Sequence, residues 1–461
     1  MFIALNNSRL NKILLFSSLV FYWVLSIICL QLSEVPVDAS DGVFHYQIAR
    51  FSWEIPANFL NHWGKPIFTI LSSPFAQFGF EGMIVFNLVL FSISSWCLYL
   101  LGAKFKFPLA GLSPVILMSS MVFFQMVNAG MTEILMATLT ISALCFFAKN
   151  KPILAALVAS LTIVARPESV IVIPVFAVIF ALASQWKAIP FLALGFILFS
   201  LIGHFSLGKD FLWVISDDPY PSESPYGSGP VNHFIKQHDL IFGGFLLISG
   251  LVGSLLFVFK DLKFLGKKRL SQIVFFSFST TLLVLMLHSF LWWKGIKGSM
   301  GLIRVMATII PLAAFLSLYA LSKISLLPGK YITLPASVIL LFFSGKTAFD
   351  NSGIPTKMNS EIKVLTEASQ WYLSHPHDGK VSYLDPYFAF KTNINPDDKQ
   401  KVLLLWGLDK QDPSLSLSPG DLIVWDSRFG PRECQIPEES IVNNPNLTVE
   451  KYIESNEYPD E

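Results

Sequence analysis

Lys12–Arg50 reads KILLFSSLVFYWVLSIICLQLSEVPVDASDGVFHYQIAR and has two unlike parts. Ile13–Leu32 is an uncharged, mostly apolar run of the length that crosses a bilayer as one helix, roughly 20 residues. Beyond it, two aspartates (Asp38, Asp41), His45, Tyr46 and Arg50 follow at once. The run has a basic flank, Arg9 and Lys12, and no small-residue cleavage site after it, so it reads as a retained span rather than a signal peptide. The fold therefore turns on a membrane helix that delivers a polar cluster to the membrane edge.

The rest of the chain repeats the apolar half of this pattern. Of 461 residues, 53% are hydrophobic and 14% charged, with mean hydropathy +0.56. A soluble domain is nearer a quarter charged. Further apolar runs cover Met83–Leu101, Leu109–Val127, Glu133–Ala148, Pro152–Ala165, Ser169–Ala183, Ile189–Leu207, Leu240–Phe259, Ile273–Phe290, Val305–Leu321 and Tyr331–Phe343. An α-helical polytopic membrane protein with about eleven transmembrane helices is expected; the two short runs around Arg166 could form one broken helix. A net charge of +1 argues against a nucleic-acid partner. Cys29, Cys97, Cys145 and Cys434 form neither a disulfide framework nor a CxxC pair.

Lysines and arginines gather in alternate connections: Lys104 and Lys106; Lys149 and Lys151; Lys187; Lys260 to Arg269; Lys323 and Lys330. Basic connections mark the cytoplasmic side, so the N-terminus is expected in the cytoplasm and the tail outside. The expected division is a membrane domain, residues 1–344 with a first outer loop at 33–82, and a small extracytoplasmic α/β domain at 345–461. The tail carries the strand-like runs KVSYLD, KVLLLWGL and DLIVWD. Short cytoplasmic connections favour a bacterial inner membrane.

The other connections hold the unusual chemistry. In helical conformation Asp41, His45 and Ala49 share one face. His62-Trp63-Gly64-Lys65-Pro66 follows in the same loop. Residues 208–239 are rich in Pro, Gly, Ser and Tyr, and His288–Arg304 carries Trp292, Trp293, Lys294, Lys297 and Arg304. Glu133 sits where one apolar run hands over to the next, and Arg166 and Glu168 interrupt another. Charges at membrane depth cost several kcal/mol unless paired or hydrated, which makes such residues functional candidates.

Carboxylates at one membrane face can deprotonate a hydroxyl, cations can hold a departing phosphate, and aromatic rings can stack on sugars or sit at the headgroup level. A lipid-linked phosphosugar needs all of these in one place. No nucleotide loop of the GxxxxGK[ST] or GxGxxG kind is present.

The early Asp41-Gly-Val-Phe-His45-Tyr46 motif with Ala49-Arg50, the His62…Lys65-Pro66 element, Met131-Thr132-Glu133, Arg166-Pro167-Glu168, the Gly-rich approach to Arg304 and the tail stretch Pro419–Asp426 cover the length of the chain. In this order they resemble the GT-C superfamily of integral-membrane glycosyltransferases, in particular its protein mannosyltransferase and aminoarabinose transferase-like group. Where many members carry Asp-Glu in the first loop, this chain has Asp41-Gly42, with Asp38 three residues upstream.

The resemblance implies inverting transfer of a sugar from a polyprenyl-phosphate donor to an acceptor hydroxyl at the outer face. The acceptor would be a lipid-linked glycan, another glycan or a protein, and membrane lipids are the remaining partners. Asp41 is the expected general base, with Asp38 the alternative. Lys65, Arg166, Lys294, Lys297 and Arg304 are expected at the donor phosphate. His45, Tyr46, His62, Trp63, Glu133 and Glu168 are expected to line the pocket. No cofactor is expected; the adjacent Asp217 and Asp218 could bind a divalent ion, though such pairs in a Pro-rich loop are commonly solvated.

Plainer roles exist for each. Asp41, Asp38 and Glu133 could cap helices, Lys65 could snorkel, Arg166 and Glu168 could simply pair, and the tryptophans could form an interfacial belt. Competing functions are a lipid-linked glycan ligase or polymerase, a transporter or flippase, and an assembly subunit. No internal repeat of the transporter kind is visible.

Overall fold

A computed structural model describes residues 8–326 and 330–454. The outermost residues of both expected domains, 1–7 and 455–461, lie outside the described residues. Helix α1 (Ser8–Leu32) leads to two short helices of the long loop that follows it, α2 (Asp41–Phe51) and α3 (Pro66–Ala76). Then come α4 (Phe80–Lys104), α5 (Ser113–Met118), α6 (Met121–Val127), α7 (Glu133–Ala148), α8 (Pro152–Ser160) and α9 (Ser169–Leu182). The membrane part ends with α10 (Leu194–Leu207), α11 (His238–Leu256), α12 (Arg269–Lys294), α13 (Ile310–Ile324) and α14 (Lys330–Asn351).

Among the described residues, 7 helices are long and apolar enough to cross a membrane, as an integral membrane protein requires. They coincide with seven of the expected runs. Of the other four, Leu109–Val127 forms a pair of helices bent by 86°, and the remaining three form α7, α8 and α9, shorter apolar helices. A helix of 16 residues such as α7 extends only about 24 Å, short of the roughly 30 Å hydrocarbon core. Burial sorts the spans. The apolar window leading through α13 is 89% buried and those of α1 and α14 only 22%, so α13 is the central post and the other two face lipid.

The two ends of the bundle differ. At one end Arg269 donates to Asn150 at 2.9 Å and lies 3.4 Å from Gln185, drawing the basic connections together. At the other, the backbone N–H of Glu34 donates to the Thr356 carbonyl at 2.9 Å, so the ends of α1 and α14 meet there. Helix α14 continues through Asn351, past the expected boundary at residue 345.

In the tail, α15 (Ser360–Ser374) precedes β1 (Val381–Ser382), which pairs in parallel with β2 (Leu422–Ile423) and bridges Val402 on its other edge. The three strand-like runs thus lie side by side with KVSYLD in the middle. Helix α16 (Pro386–Thr392) packs on α2: the rings of Tyr46 and Phe390 are 5.8 Å apart, and Gln47 donates to the Pro386 carbonyl at 3.3 Å. Asn58 adds a 2.6 Å bond to Asp397. The tail and the loop after α1 therefore occupy the same face.

Candidate active site

Asp38 and Asp41 converge on one guanidinium. Asp38 Oδ1 accepts the backbone N–H groups of Ser40 and Gly42 at 3.1 and 3.0 Å, and its Oδ2 accepts Arg304 Nη1. Asp41 accepts Arg304 Nη2. The capping role thus falls to Asp38. Among the described residues Asp41 takes no second hydrogen bond, and its side chain is 31% exposed against 14% for Asp38. Burial would raise the Asp41 carboxyl, but Arg304 holds it below the ordinary aspartate value.

The charge pairing continues inward. Arg304 Nε lies 4.0 Å from Glu133 Oε1, and Arg166 Nη1 lies 2.9 Å from the same oxygen. Arg166 holds Glu168 through Nε at 3.1 Å and Thr132 through Nη1 at 2.8 Å. Glu168 Oε1 is in turn 3.3 Å from His288 Nε2. Glu133 and Glu168 are each 1% exposed. This alternating row ties α2, the α6–α7 turn, the α8–α9 junction, α12 and the lead-in to α13. Asn87 steadies the turn by donating to the Met126 and Met131 carbonyls, both at 3.0 Å. Both arginines are therefore already neutralised by carboxylates.

Lys65 is different. It is buried, at 7% exposure, and no carboxylate pairs with it among the described residues. Its Nζ donates to the His62 carbonyl at 3.1 Å and to Tyr220 Oη at 2.9 Å, over the rings of Tyr220 (4.8 Å) and Trp63 (5.8 Å). Its backbone has φ of +59°, just before Pro66 opens α3. A non-glycine residue in that region is strained, and such strain is found preferentially at functional sites.

Asp41 and Lys65 both act on His45. Burial, reinforced by Lys65 and Arg304, pushes it down to about 3, against the pull of Asp41. Burial and Lys65 push His62 down to about 4. Both imidazoles are thus neutral at neutral pH. His45 Nδ1, His62 Nε2, Trp63 Nε1 and Glu133 Oε2 are buried without a hydrogen-bond partner. Few buried polar atoms in folded proteins are left so.

No family model matches this sequence. No curated protein matches it either. Solved structures do. ArnT from Cupriavidus metallidurans bound to undecaprenyl phosphate aligns with a TM-score of 0.59 at 9% identity, over 87% of each chain. Its apo state gives 0.57 at 10% identity, over 84% of this chain and 85% of that one. An oligosaccharyltransferase from Archaeoglobus fulgidus, in complex with Zn and sulfate, gives 0.52 at 14% identity, over 81% of this chain and 61% of that one. The chain has the GT-C fold.

On this GT-C frame the expected site residues separate into groups. Asp38, Asp41, Glu133, Arg166, Glu168 and Arg304 form the charge row; His45, His62, Trp63 and Lys65 lie beside it. Tyr46 turns away: its hydroxyl accepts Arg50 at 2.7 Å and its ring meets Phe80 and Phe390. Lys294 and Lys297 do not join the arginines. Lys294 Nζ lies 4.0 Å over the Trp293 ring, and Lys297 pairs with Asp218 at 2.6 Å while 52% exposed. Asp217 pairs with Lys209 at 2.7 Å. Among the described residues no three His, Cys, Asp or Glu side chains are grouped to hold a metal ion. Trp292, at the end of α12, is clamped against the 208–239 connection, where a β-carbon on Gly229 would stand 2.0 Å from its Nε1; Trp293 is 48% exposed.

Tyr220, Tyr226 and His288 are the residues that sequence reasoning passed over. Tyr220 holds Lys65, and Tyr226 hydrogen-bonds Glu433 of the tail. Two tyrosines in an otherwise small, Pro-rich loop were the available signal.

Proposed function

We propose that this protein is an inverting glycosyltransferase that moves a sugar from a polyprenyl-phosphate donor to an acceptor hydroxyl at the outer face of a bacterial inner membrane. The observation that carries the proposal is the buried Lys65 ammonium, which no carboxylate pairs with among the described residues, while the accessible Asp41 acts on the same His45. Such a cation is an anion site in waiting, and the phosphate of a lipid donor is an anion that belongs at this depth. ArnT, which shares the fold, was solved with undecaprenyl phosphate bound, and this supports a lipid of that class.

The acceptor oxygen attacks the anomeric carbon as the bond from that carbon to the phosphate oxygen breaks. Lys65 compensates the extra negative charge on the departing polyprenyl phosphate. Asp41 takes the hydroxyl proton. A carboxylate held below its ordinary value is a weak base toward a free alcohol. It suffices here because the hydroxyl acidifies as its oxygen bonds to the electron-poor anomeric carbon. Arg304 and Asp38 hold Asp41 in place, while Arg166, Glu133 and Glu168 hold Arg304.

The test is label transfer by purified protein in nanodiscs, with a panel of radiolabelled polyprenyl-phosphate sugars and membrane lipid extract as acceptor. Transfer by the wild type that is lost in folded Asp41→Asn supports the proposal. Equal transfer by both removes Asp41 as base. No transfer by either, across the panel and a range of acceptors, favours a transporter or assembly subunit.

A further inference from the structure

We infer that a groove at the start of α1 seats an anionic phospholipid of the bilayer, with the headgroup phosphate against Arg9 and Lys12 and an acyl chain along Ile13, Phe16 and Val20. This seat lies at the end of the bundle away from the tail and is independent of the proposed chemistry.

The shape of the groove points to a lipid. An open depression of about 600 Å³ runs along one side of α1, lined by Arg9, Lys12, Ile13, Phe16, Ser17 and Val20. Their spacing of three and four puts these side chains on one helix face. The two cations stand at one end and the apolar residues follow. Ile13, Phe16 and Val20 are 55%, 54% and 62% exposed, and the Phe16 ring lies 5.9 Å from that of Trp96 on α4. The Ser17 hydroxyl is used within the helix, donating to the Leu14 carbonyl at 3.2 Å. From Lys12 to Val20 the helix rises about 12 Å, which fits within one leaflet of a hydrocarbon core roughly 30 Å thick. Cationic heads above an apolar wall match a phosphate above its acyl chain.

The charge points to an anionic headgroup. The sequence has no Asp or Glu before Glu34 and none between Glu81 and Glu133. The start of α1 is tied to the connection after α4, where the Gly111 N–H donates to Asn11 Oδ1 at 2.9 Å. That connection brings the exposed Lys104 and Lys106 to the same end. Asp261 is the one acidic residue between Asp239 and Asp350, and it is held by Lys323 at 2.6 Å and by the Tyr319 hydroxyl. Four cations thus stand at this end of α1 and α4 with no acidic residue in their own stretches. A zwitterionic headgroup brings no net charge to offset them. A second copy of the chain, seated here in the same membrane orientation, would bring its own Arg9 and Lys12 to the same depth, and like charges repel.

The test uses the full chain in nanodiscs of phosphatidylcholine that also hold equal small amounts of phosphatidylglycerol and phosphatidylethanolamine. Lipids that stay on the protein after release from the disc are counted by native mass spectrometry. Phosphatidylglycerol is expected to be retained on the order of tenfold over phosphatidylethanolamine, with a smaller preference when the discs are held at high salt. Arg9→Gln with Lys12→Gln should abolish the preference, and Phe16→Ser should weaken it. Lys260→Gln with Lys263→Gln removes the same amount of charge from another basic connection and should leave it intact. Equal retention of the two lipids by the wild type overturns the inference. So does a preference that survives Arg9→Gln with Lys12→Gln, or one that is lost equally in Lys260→Gln with Lys263→Gln, because the groove is then not the seat. Polyprenyl phosphate that displaces phosphatidylglycerol at equal amounts would overturn the choice of a phospholipid. Dimers that form without bound lipid would overturn it in favour of a second copy.

Discussion

A β-carbon on Gly42 would stand 2.5 Å from the carbonyl oxygen of Ala129 and 3.1 Å from the Asp38 β-carbon. The first turn of α2 therefore rests directly on the turn that leads into Glu133, with no side chain between them. This explains why Asp41 is followed by glycine. It is also how two stretches far apart in sequence bring Asp41 and Glu133 to one arginine. Gly42→Ala must push α2 off that turn, because the obstacle is backbone. Activity is expected to fall by at least about tenfold, since misplacement of about 1 Å at a reacting group costs as much or more. The thermal midpoint should fall by several degrees. Wild-type activity in Gly42→Ala would show that the spacing is not needed.

Asp38 and Asp41 share Arg304 but are not equivalent. Asp38 also holds two backbone N–H groups, so Asp38→Ala is expected to lose roughly 1 kcal/mol through the cap and more through Arg304. Asp41→Asn keeps its shape and gives up only the charge. It should fold with near wild-type stability and lose about 10²–10⁴-fold in kcat, the range for a general base. Chemical denaturation and single-turnover transfer, measured on both variants, separate the roles. A stable but inactive Asp38→Ala beside an active Asp41→Asn would reverse the assignment.

Arg166 lies between two carboxylates that are each 1% exposed. Arg166→Gln leaves both buried without their cation, and removing one partner of such a pair destabilises by about 3–5 kcal/mol. Its main effect is expected on folding, seen as low yield and a lowered melting temperature. The triple change Arg166→Gln, Glu133→Gln and Glu168→Gln should recover much of the stability. If Arg166→Gln melts like wild type and only donor affinity drops, Arg166 is a phosphate ligand rather than a positioning residue.

These contrasts show what the sequence could disclose. The seven described helices long and apolar enough to cross a membrane were readable because an apolar run of that length is rarely anything but a membrane helix. Asp41, Lys65, Arg166 and Arg304 stood out because charge in an apolar chain is costly and must have a use. Pairing was only partly readable. The Arg166–Glu168 pair was open from sequence because the two are neighbours, but Glu133 beside Arg166 and the two aspartates on Arg304 come from distant stretches, and Lys297 looked like a phosphate ligand although it points at Asp218 on the surface. A cation near a membrane edge gives one signal whatever it faces. Tyr220 was hidden because its importance comes from a contact with Lys65 155 positions away. The docking of α16 on α2 was hidden for the same reason.

Lys65→Met tests the uncompensated ammonium. Methionine has similar length and no charge, so the variant is expected to be at least as stable as wild type, because a buried charge without a counter-ion opposes folding. Donor affinity should weaken by about 2–5 kcal/mol, the loss typical when one partner of a buried charge pair is removed. Isothermal titration with polyprenyl phosphate and a thermal melt of the same samples check both halves. A destabilised variant with unchanged affinity would mean that Lys65 serves the fold.

The tail should respond to pH in the neutral range. Burial, and then the charge of Asp426, pushes the Asp385 carboxyl up to about 7; burial pushes Asp426 up to about 6. Backbone N–H groups of Tyr387, and of Arg428 and Phe429, partly stabilise the ionised forms, and the Arg428 side chain pairs with Glu361 at 2.8 Å. A carboxyl raised in the folded state binds its proton more tightly there than in the unfolded chain. Between about 4 and about 7 the folded tail therefore holds more protons, and its stability falls as pH rises through that window. Below it both states are protonated, and above it both are ionised, so the penalty is complete. Amide exchange in 381–385 and 422–424, corrected for intrinsic rates, should give greater protection at pH 5 than at pH 8. Asp385→Asn should flatten the difference while raising protection at pH 8. Equal protection at both pH values in the wild type would mean that both carboxyls titrate like exposed ones and that the tail does not bury them as described.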